Sequence, residues 1–422
     1  MNKFKIKVTK NKVPIYLIPV SGAKTTTLMF MFKTGSKYET KLNSGISHFL
    51  EHMFFKGTKK RANTSVIASE LDSLGCDFNA FTNKEYTEYY FKVASTKTRL
   101  AIKILTDMLL NSVFSEEEIE REKGVIIEEL NMYQDNPLEH IEDVFESCLY
   151  GDSPAGWDVL GNKKTIQSFK RQDFLDYFSS QYGAKSLRIV LTGKINKADV
   201  KFLEKQILGF KDNNWQDKIG VKEKQTKPML KIEFKKIDQV SLALGLRTVP
   251  VNHPDALKLK VLALILGGSM SSRLFIKLRE RNGLAYFIRT ATASYSDTGY
   301  LNTQAGVPIN KTKEAIKIIL AEYQSIAKEK ISERELKKAK DLLVGKMILR
   351  LENSEEIAFW YARQIMLRKK IMSPIETIRE IKKITALDLQ KTAAKYFINS
   401  NLNLALIGKV KASDYSKILK FQ

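Results

Sequence analysis

Charged and apolar residues alternate over the opening stretch Asn2-Lys3-Phe4-Lys5-Ile6-Lys7-Val8, the two-residue period of a strand. Two further runs, Thr27-Leu28-Met29-Phe30-Met31-Phe32 and Val240-Ser241-Leu242-Ala243-Leu244-Gly245-Leu246, read as β-rich. Elsewhere the apolar residues fall at helical spacing. In the segment 43–57, Ile46, Phe49, Leu50, Met53 and Phe54 make one stripe, with Asn43 or Ser44 able to cap its start and Gly57 able to end it. A second helix is predicted over 115–133. Strands and helices do not alternate strictly, so the pattern predicts an α+β fold with a largely antiparallel sheet packed with helices.

The pattern also repeats. Leu100-Ala101-Ile102-Lys103-Ile104-Leu105 resembles Glu314-Ala315-Ile316-Lys317-Ile318-Ile319. Each is followed by a helix start with Ser at the cap and Glu three residues later, Ser115 with Glu118 and Ser332 with Glu335, the spacing of a capping box. Near the end of each half an apolar strand closes on Gly-Lys, at Gly193-Lys194 and Gly408-Lys409. Three separated matches at nearly one offset predict an internal duplication giving two homologous domains. The polar stretch between them sets the expected boundaries: a domain over 1–210, a linker over 211–228 and a second domain over 229–422.

Composition narrows the class. The 422 residues are 43% hydrophobic and 28% charged, the balance of a globular chain with a sizeable core. Lys and Arg number 70 against 47 Asp and Glu, a formal net charge of +23. Such a charge raises the question of nucleic acid or an acidic membrane. The basic residues are spread along the chain and interleaved with Glu, with no arginine-rich tail, RNA-binding signature or zinc-finger spacing, so they read as a solvated surface and no nucleic-acid partner is expected. Two cysteines, Cys76 and Cys148, make no disulfide framework and point to a reducing compartment. The start lacks the apolar core of a signal peptide, and no apolar run approaches the roughly 18 residues of a membrane span, so a cytoplasmic protein without an integral membrane segment is expected.

The chemistry concentrates in His48-Phe49-Leu50-Glu51-His52. Two histidines four apart stand one turn above the other on a helix face, where a single tetrahedral zinc can take both. A third ligand must come from elsewhere. The helix 115–133 offers Glu122 and Glu129, seven apart and so on one face. In the second copy the corresponding positions are Ala339 and Lys346, and the counterpart of the histidine helix, near 259–266, has no histidine. One half carries chemistry and the other reads as structural. Glu51, next to a ligand, can reach a water on the metal and exchange a proton with it. His140 and His253 have no such spacing and read as surface or loop histidines; the cysteines read as packed or free thiols.

The motif resembles the inverted-zincin signature, and the likeness extends along essentially the whole chain to the pitrilysin/insulinase family of metallopeptidases, close to its half-length, mitochondrial-processing-peptidase-like branch. In that family a glutamate ligand follows the helix motif by about 75 residues. Here Glu129 follows His52 by 77, within Glu122-Lys123-Gly124-Val125-Ile126-Ile127-Glu128-Glu129. The resemblance thus implies Zn2+ on His48, His52 and Glu129, with Glu51 as general base and Glu122 in support. Asn79-Ala80-Phe81-Thr82 resembles the family's substrate-binding edge strand, which implies peptide contacts at Asn79, Ala80 and Phe81 by strand addition. The stretch around Arg279 and Gly283-Leu284-Ala285-Tyr286 resembles the family's arginine–tyrosine element, implying that Tyr286 donates to the oxyanion and Arg279 anchors the peptide. Both elements in one chain imply a homodimer around an enclosed chamber, in which the second half of one chain completes the zinc site of the other. The implied activity is a zinc endopeptidase acting on short or unfolded polypeptides; the alternative is a non-catalytic scaffold or partner subunit of a peptidase complex.

Overall fold

The computed structural model describes residues 4–421, which gather into two compact units. Among these, the first comprises residues 4–131, Asp158–Ile219 and Leu349–Ser373; the second comprises Met132–Trp157, Gly220–Ile348 and residues 374–421. The contiguous division at 211–228 expected from the sequence contains the step from Ile219 to Gly220 but misses two exchanged segments. The helix Pro137–Tyr150 belongs to the second unit and the helix Ser354–Leu367 to the first. Local hydrophobic period reports that a segment is a helix, not which sheet it covers.

Each unit is built on one mixed, mostly antiparallel sheet. The first contains β1 (Lys5–Val8), β2 (Pro14–Pro19), β3 (Thr25–Phe32), β4 (Asp77–Thr82), β5 (Thr87–Ala94) and β6 (Leu187–Gly193), in the order β1-β2-β6-β3-β5-β4. The second contains β7 (Met229–Phe234), β8 (Gln239–Thr248), β9 (Phe287–Ser294), β10 (Gly299–Pro308) and β11 (Leu402–Gly408), in the order β7-β11-β8-β10-β9. Matching β2 through β6 with β7 through β11 in sequence makes the two orders identical, with β1 an addition to the first. Even the parallel pair recurs, β2 with β6 and β7 with β11. The duplication legible in three short matches is therefore a duplication of sheet topology.

Alternation along the strands decides what packs on each face. In β8, Val240, Leu242, Leu244 and Leu246 join the main core of the second unit, while Ala243 belongs to a smaller core around Phe145 and Leu149 of the exchanged helix. Gly245 lies on this second face, where a Cβ would meet the Phe145 ring at 2.7 Å, so the small residues are the seat of that helix. In the first unit, Phe49, Leu50, Met53 and Phe54 are fully buried against Phe30, Phe32, Tyr89 and Phe174. That burial anchors the histidine helix to the central strands of its sheet.

Candidate metal centre

The histidine helix is short, Ile46–Met53, and does not extend over the whole of 43–57. It starts at Gly45, whose φ of +95° only glycine adopts freely, and neither Asn43 nor Ser44 caps it. Asn43 Oδ1 instead accepts from the backbone N–H and hydroxyl of Thr40, at 2.6 and 2.9 Å. The acceptor for the helix is the Glu39 carboxylate, which takes the Gly45 N–H at 2.7 Å and the Ser47 N–H at 2.9 Å. Burial pushes Glu39 up to about 7, against the pull of those N–H groups. Glu122 and Glu129 stand on the facing helix, Glu116–Asp135, whose first turn is capped by the Ser115 hydroxyl accepting the Glu118 N–H.

The two helices bring one nitrogen of His48, one of His52 and one carboxylate oxygen of Glu129 within 4.8 Å of one another. Nε2 of His48 and Nε2 of His52 are 3.3 Å apart, and Glu129 Oε2 lies 3.7 and 3.5 Å from them. Tetrahedral zinc bonds of about 2.0–2.1 Å separate ligand atoms by roughly 3.3 Å, so the spacing fits a zinc ion. The donor set, two imidazoles and one carboxylate, is also that of catalytic zinc sites that keep one position for water. No other such group of three occurs among the described residues.

The surroundings prepare these donors. His52 Nδ1 lies 2.9 Å from Glu122 Oε1, so Nδ1–H donates to the carboxylate and Nε2 presents its lone pair to the ligand cluster. Lys56 pairs with the other oxygen of Glu122. Burial alone would raise Glu122, but the bonds from His52 and Lys56 hold it below the usual carboxylate range. Burial drops His48 to about 3, so its ring is neutral and free to coordinate. Burial raises Glu129, partly offset by His52.

Glu51 is not among the three donors. Its Oε2 accepts from the Thr82 hydroxyl at the end of β4. Burial pushes Glu51 up to about 7, against the pull of Thr82 and His52, and a base with that pKa is poised to exchange protons near neutrality. Strand β4 is the edge of its sheet, paired only with β5; Asn79 is exposed, Ala80 half-buried and Phe81 52% exposed. Thr82 thus joins the edge strand to Glu51, a link that spacing could not reveal because 31 residues separate the pair.

Arg279 and Tyr286 belong to the second unit, Arg279 on the helix Phe275–Arg281. The Arg279 guanidinium stacks over the Tyr286 ring at 4.7 Å and over Phe275 at 5.0 Å, and Tyr286 is 82% exposed. The counterparts of Glu122 and Glu129 on the helix Glu333–Arg350 are a buried Ala339 and an exposed Lys346. His140 departs from the surface or loop position expected of it. It is buried on the helix Pro137–Tyr150, with Nε2 3.1 Å from Glu233 and Nδ1 3.5 Å from Asp143. His253 sits in a turn, where Nδ1 accepts the Asp255 N–H, and both cysteines are free thiols. No helix of the described residues is long and apolar enough to cross a membrane.

Comparison with known proteins gives the family and the fold. The family described as Insulinase (Peptidase family M16) matches residues 16–163, and the one described as Peptidase M16 inactive domain matches 168–343. The chain is 32% identical over 398 residues to a Bacillus subtilis protein described as uncharacterized zinc protease YmxG, covering 94% of this chain and 96% of that one. It is 29% identical to the human mitochondrial-processing peptidase subunit beta, across 93% of this chain and 82% of that one. A crystal structure of a protease from Helicobacter pylori shares the fold at a TM-score of 0.91 with 22% identity, covering 97% of this chain and 100% of that chain.

Proposed function

The chain belongs to the insulinase family of peptidases, peptidase family M16, and on that premise we propose that it is a zinc-dependent endopeptidase cutting short or unfolded polypeptides held as an extended strand. The observation that carries this reading is the ligand-atom spacing of His48, His52 and Glu129, with Glu51 beside them and outside the ligand set. Zinc held there supplies Lewis-acid polarisation of the scissile carbonyl and activation of water. Glu51 takes a proton from the attacking water on its carboxylate and returns it to the leaving amine. The Thr82 hydroxyl fixes one oxygen of Glu51, leaving the other for the proton. Glu122 fixes the His52 tautomer through Nδ1.

The open side of β4 lends its backbone groups to an extended peptide, with Asn79, Ala80 and Phe81 meeting its side chains. Because Thr82 ends that strand, a peptide added to it runs toward Glu51. Arg279 anchors the peptide and Tyr286 donates to the oxyanion; the sequence motif and the exposure of Tyr286 support these roles. The partner is a second copy of the chain. Cleavage of quenched unfolded peptides should stop on treatment with a zinc chelator and return on adding zinc. Undiminished hydrolysis in the chelated, zinc-free protein would overturn the proposal.

A further inference from the structure

One buried carboxylate beside the site has no ligand or proton-transfer role. Glu39 is 2% exposed, and its two oxygens take the N–H groups of Gly45 and Ser47 at 2.7 and 2.9 Å. These are donors of the first turn of the histidine helix, which a helix cannot satisfy internally. The residue at the cap, Gly45, has no side chain with which to accept them. A planar carboxylate bonded twice fixes both the position of that turn and its rotation about the helix axis.

Two other contacts grip the same turn. The Ser47 hydroxyl lies 2.7 Å from the Tyr177 hydroxyl, itself 2.8 Å from Thr34 Oγ1. Gly45 and Gly161 are interlocked: a Cβ on Gly45 would meet the Leu160 carbonyl oxygen at 2.5 Å, and one on Gly161 would meet the Ser44 carbonyl oxygen at 2.4 Å. His48 follows Ser47 directly, so any tilt of this turn is carried to the ligand atom.

We infer that Glu39 is a positioning residue for the metal centre, acting through the first turn of the helix Ile46–Met53 to hold His48 and His52 at ligand spacing. The inference rests on the zinc reading of the site. Ligand constellations tolerate displacements of only about 0.5 Å, and the helix has roughly two turns over which to absorb an error. Glu39→Gln keeps the shape but replaces one acceptor with an N–H2 that faces a backbone N–H, so one of the two bonds is lost.

The test measures zinc affinity by chelator competition, together with kcat and KM, in wild type, Glu39→Gln and Leu203→Ala. Leu203 is fully buried in the same unit on the helix Lys197–Gln206 and serves as a control for lost stability alone. Glu39→Gln should weaken zinc binding by about tenfold or more and lower kcat in zinc-saturated protein with KM held within about twofold, while Leu203→Ala keeps wild-type affinity. Equal zinc affinity in Glu39→Gln and wild type would overturn the inference, as would an equal loss in Leu203→Ala. Should Glu39→Gln not fold, Tyr177→Phe carries the same readouts, and unchanged zinc affinity there contradicts the inference. A wild type that binds zinc without cleaving peptides would sink the peptidase reading and leave the affinity comparison standing. A wild type that binds no zinc would sink both.

Discussion

The two units share one strand order and differ in what that order is made to hold. In the first, a two-turn helix brings His48, Glu51 and His52 against Glu122 and Glu129 of the neighbouring helix. In the second, the helix Ala256–Gly267 has no histidine or carboxylate, and its face is filled by Leu259, Leu262, Ile265 and Leu266. Where Glu122 would stand there is Ala339, and where Glu129 would stand there is Lys346 on the surface. A duplicated fold thus needs few side chains to become a chemical site.

Both units bury carboxylates against the pull of solvent. The first unit buries Glu39 and Glu88 and half-buries Glu51, and desolvation pushes Glu39 and Glu51 up to about 7 and Glu88 to about 8. In the second, desolvation likewise raises Glu142, whereas for Asp255 burial is outweighed by bonds from Lys258, Tyr396 and Lys395, which hold it down at about 2. Buried acids raised in this way favour the folded state when protonated, so their contribution is full below about 4.5 and is lost as pH rises through 7 to 8.

Removing the proposed proton carrier should separate the units most. Glu51→Gln is expected to lose about 10²–10⁴-fold in kcat while keeping zinc, measured by quenched-peptide kinetics and elemental analysis on the same sample. Wild-type turnover in that variant would place the proton transfer elsewhere. The second unit should still matter through its exposed tyrosine. Tyr286→Phe is expected to lower kcat by about 10²–10³-fold without changing zinc content; an unchanged kcat would make that unit structural alone.

The smallest effect concerns stability. In metal-free protein, Glu88→Gln should be less destabilised than wild type as pH rises from about 4.5 to 8, and indistinguishable from it in slope below about 4.5. Denaturant midpoints across that range check the sign. A variant whose midpoint falls as steeply as that of wild type would show that Glu88 is not held neutral by burial.

Much of this was legible in the sequence because it is periodic. Four-residue spacing puts His48 and His52 on one face, and seven-residue spacing does the same for Glu122 and Glu129. Spacing alone did not say which carboxylate reaches which nitrogen; the structure sets Glu122 at Nδ1 of His52 and Glu129 at Nε2. The rest depends on contacts between distant segments. Glu39 lies outside the helix it caps, Thr82 reaches Glu51 from another strand, and His140 is buried because its helix packs on the sheet of its own unit, whose strands are distant in sequence. Each is fixed by tertiary packing, which leaves no local period to read.

The claim that one unit alone holds the metal is tested most directly by zinc stoichiometry, from elemental analysis of wild type and His52→Ala after dialysis against the free ion. The account predicts one zinc per wild-type chain and none in His52→Ala. Zinc retained at wild-type stoichiometry by His52→Ala would contradict it.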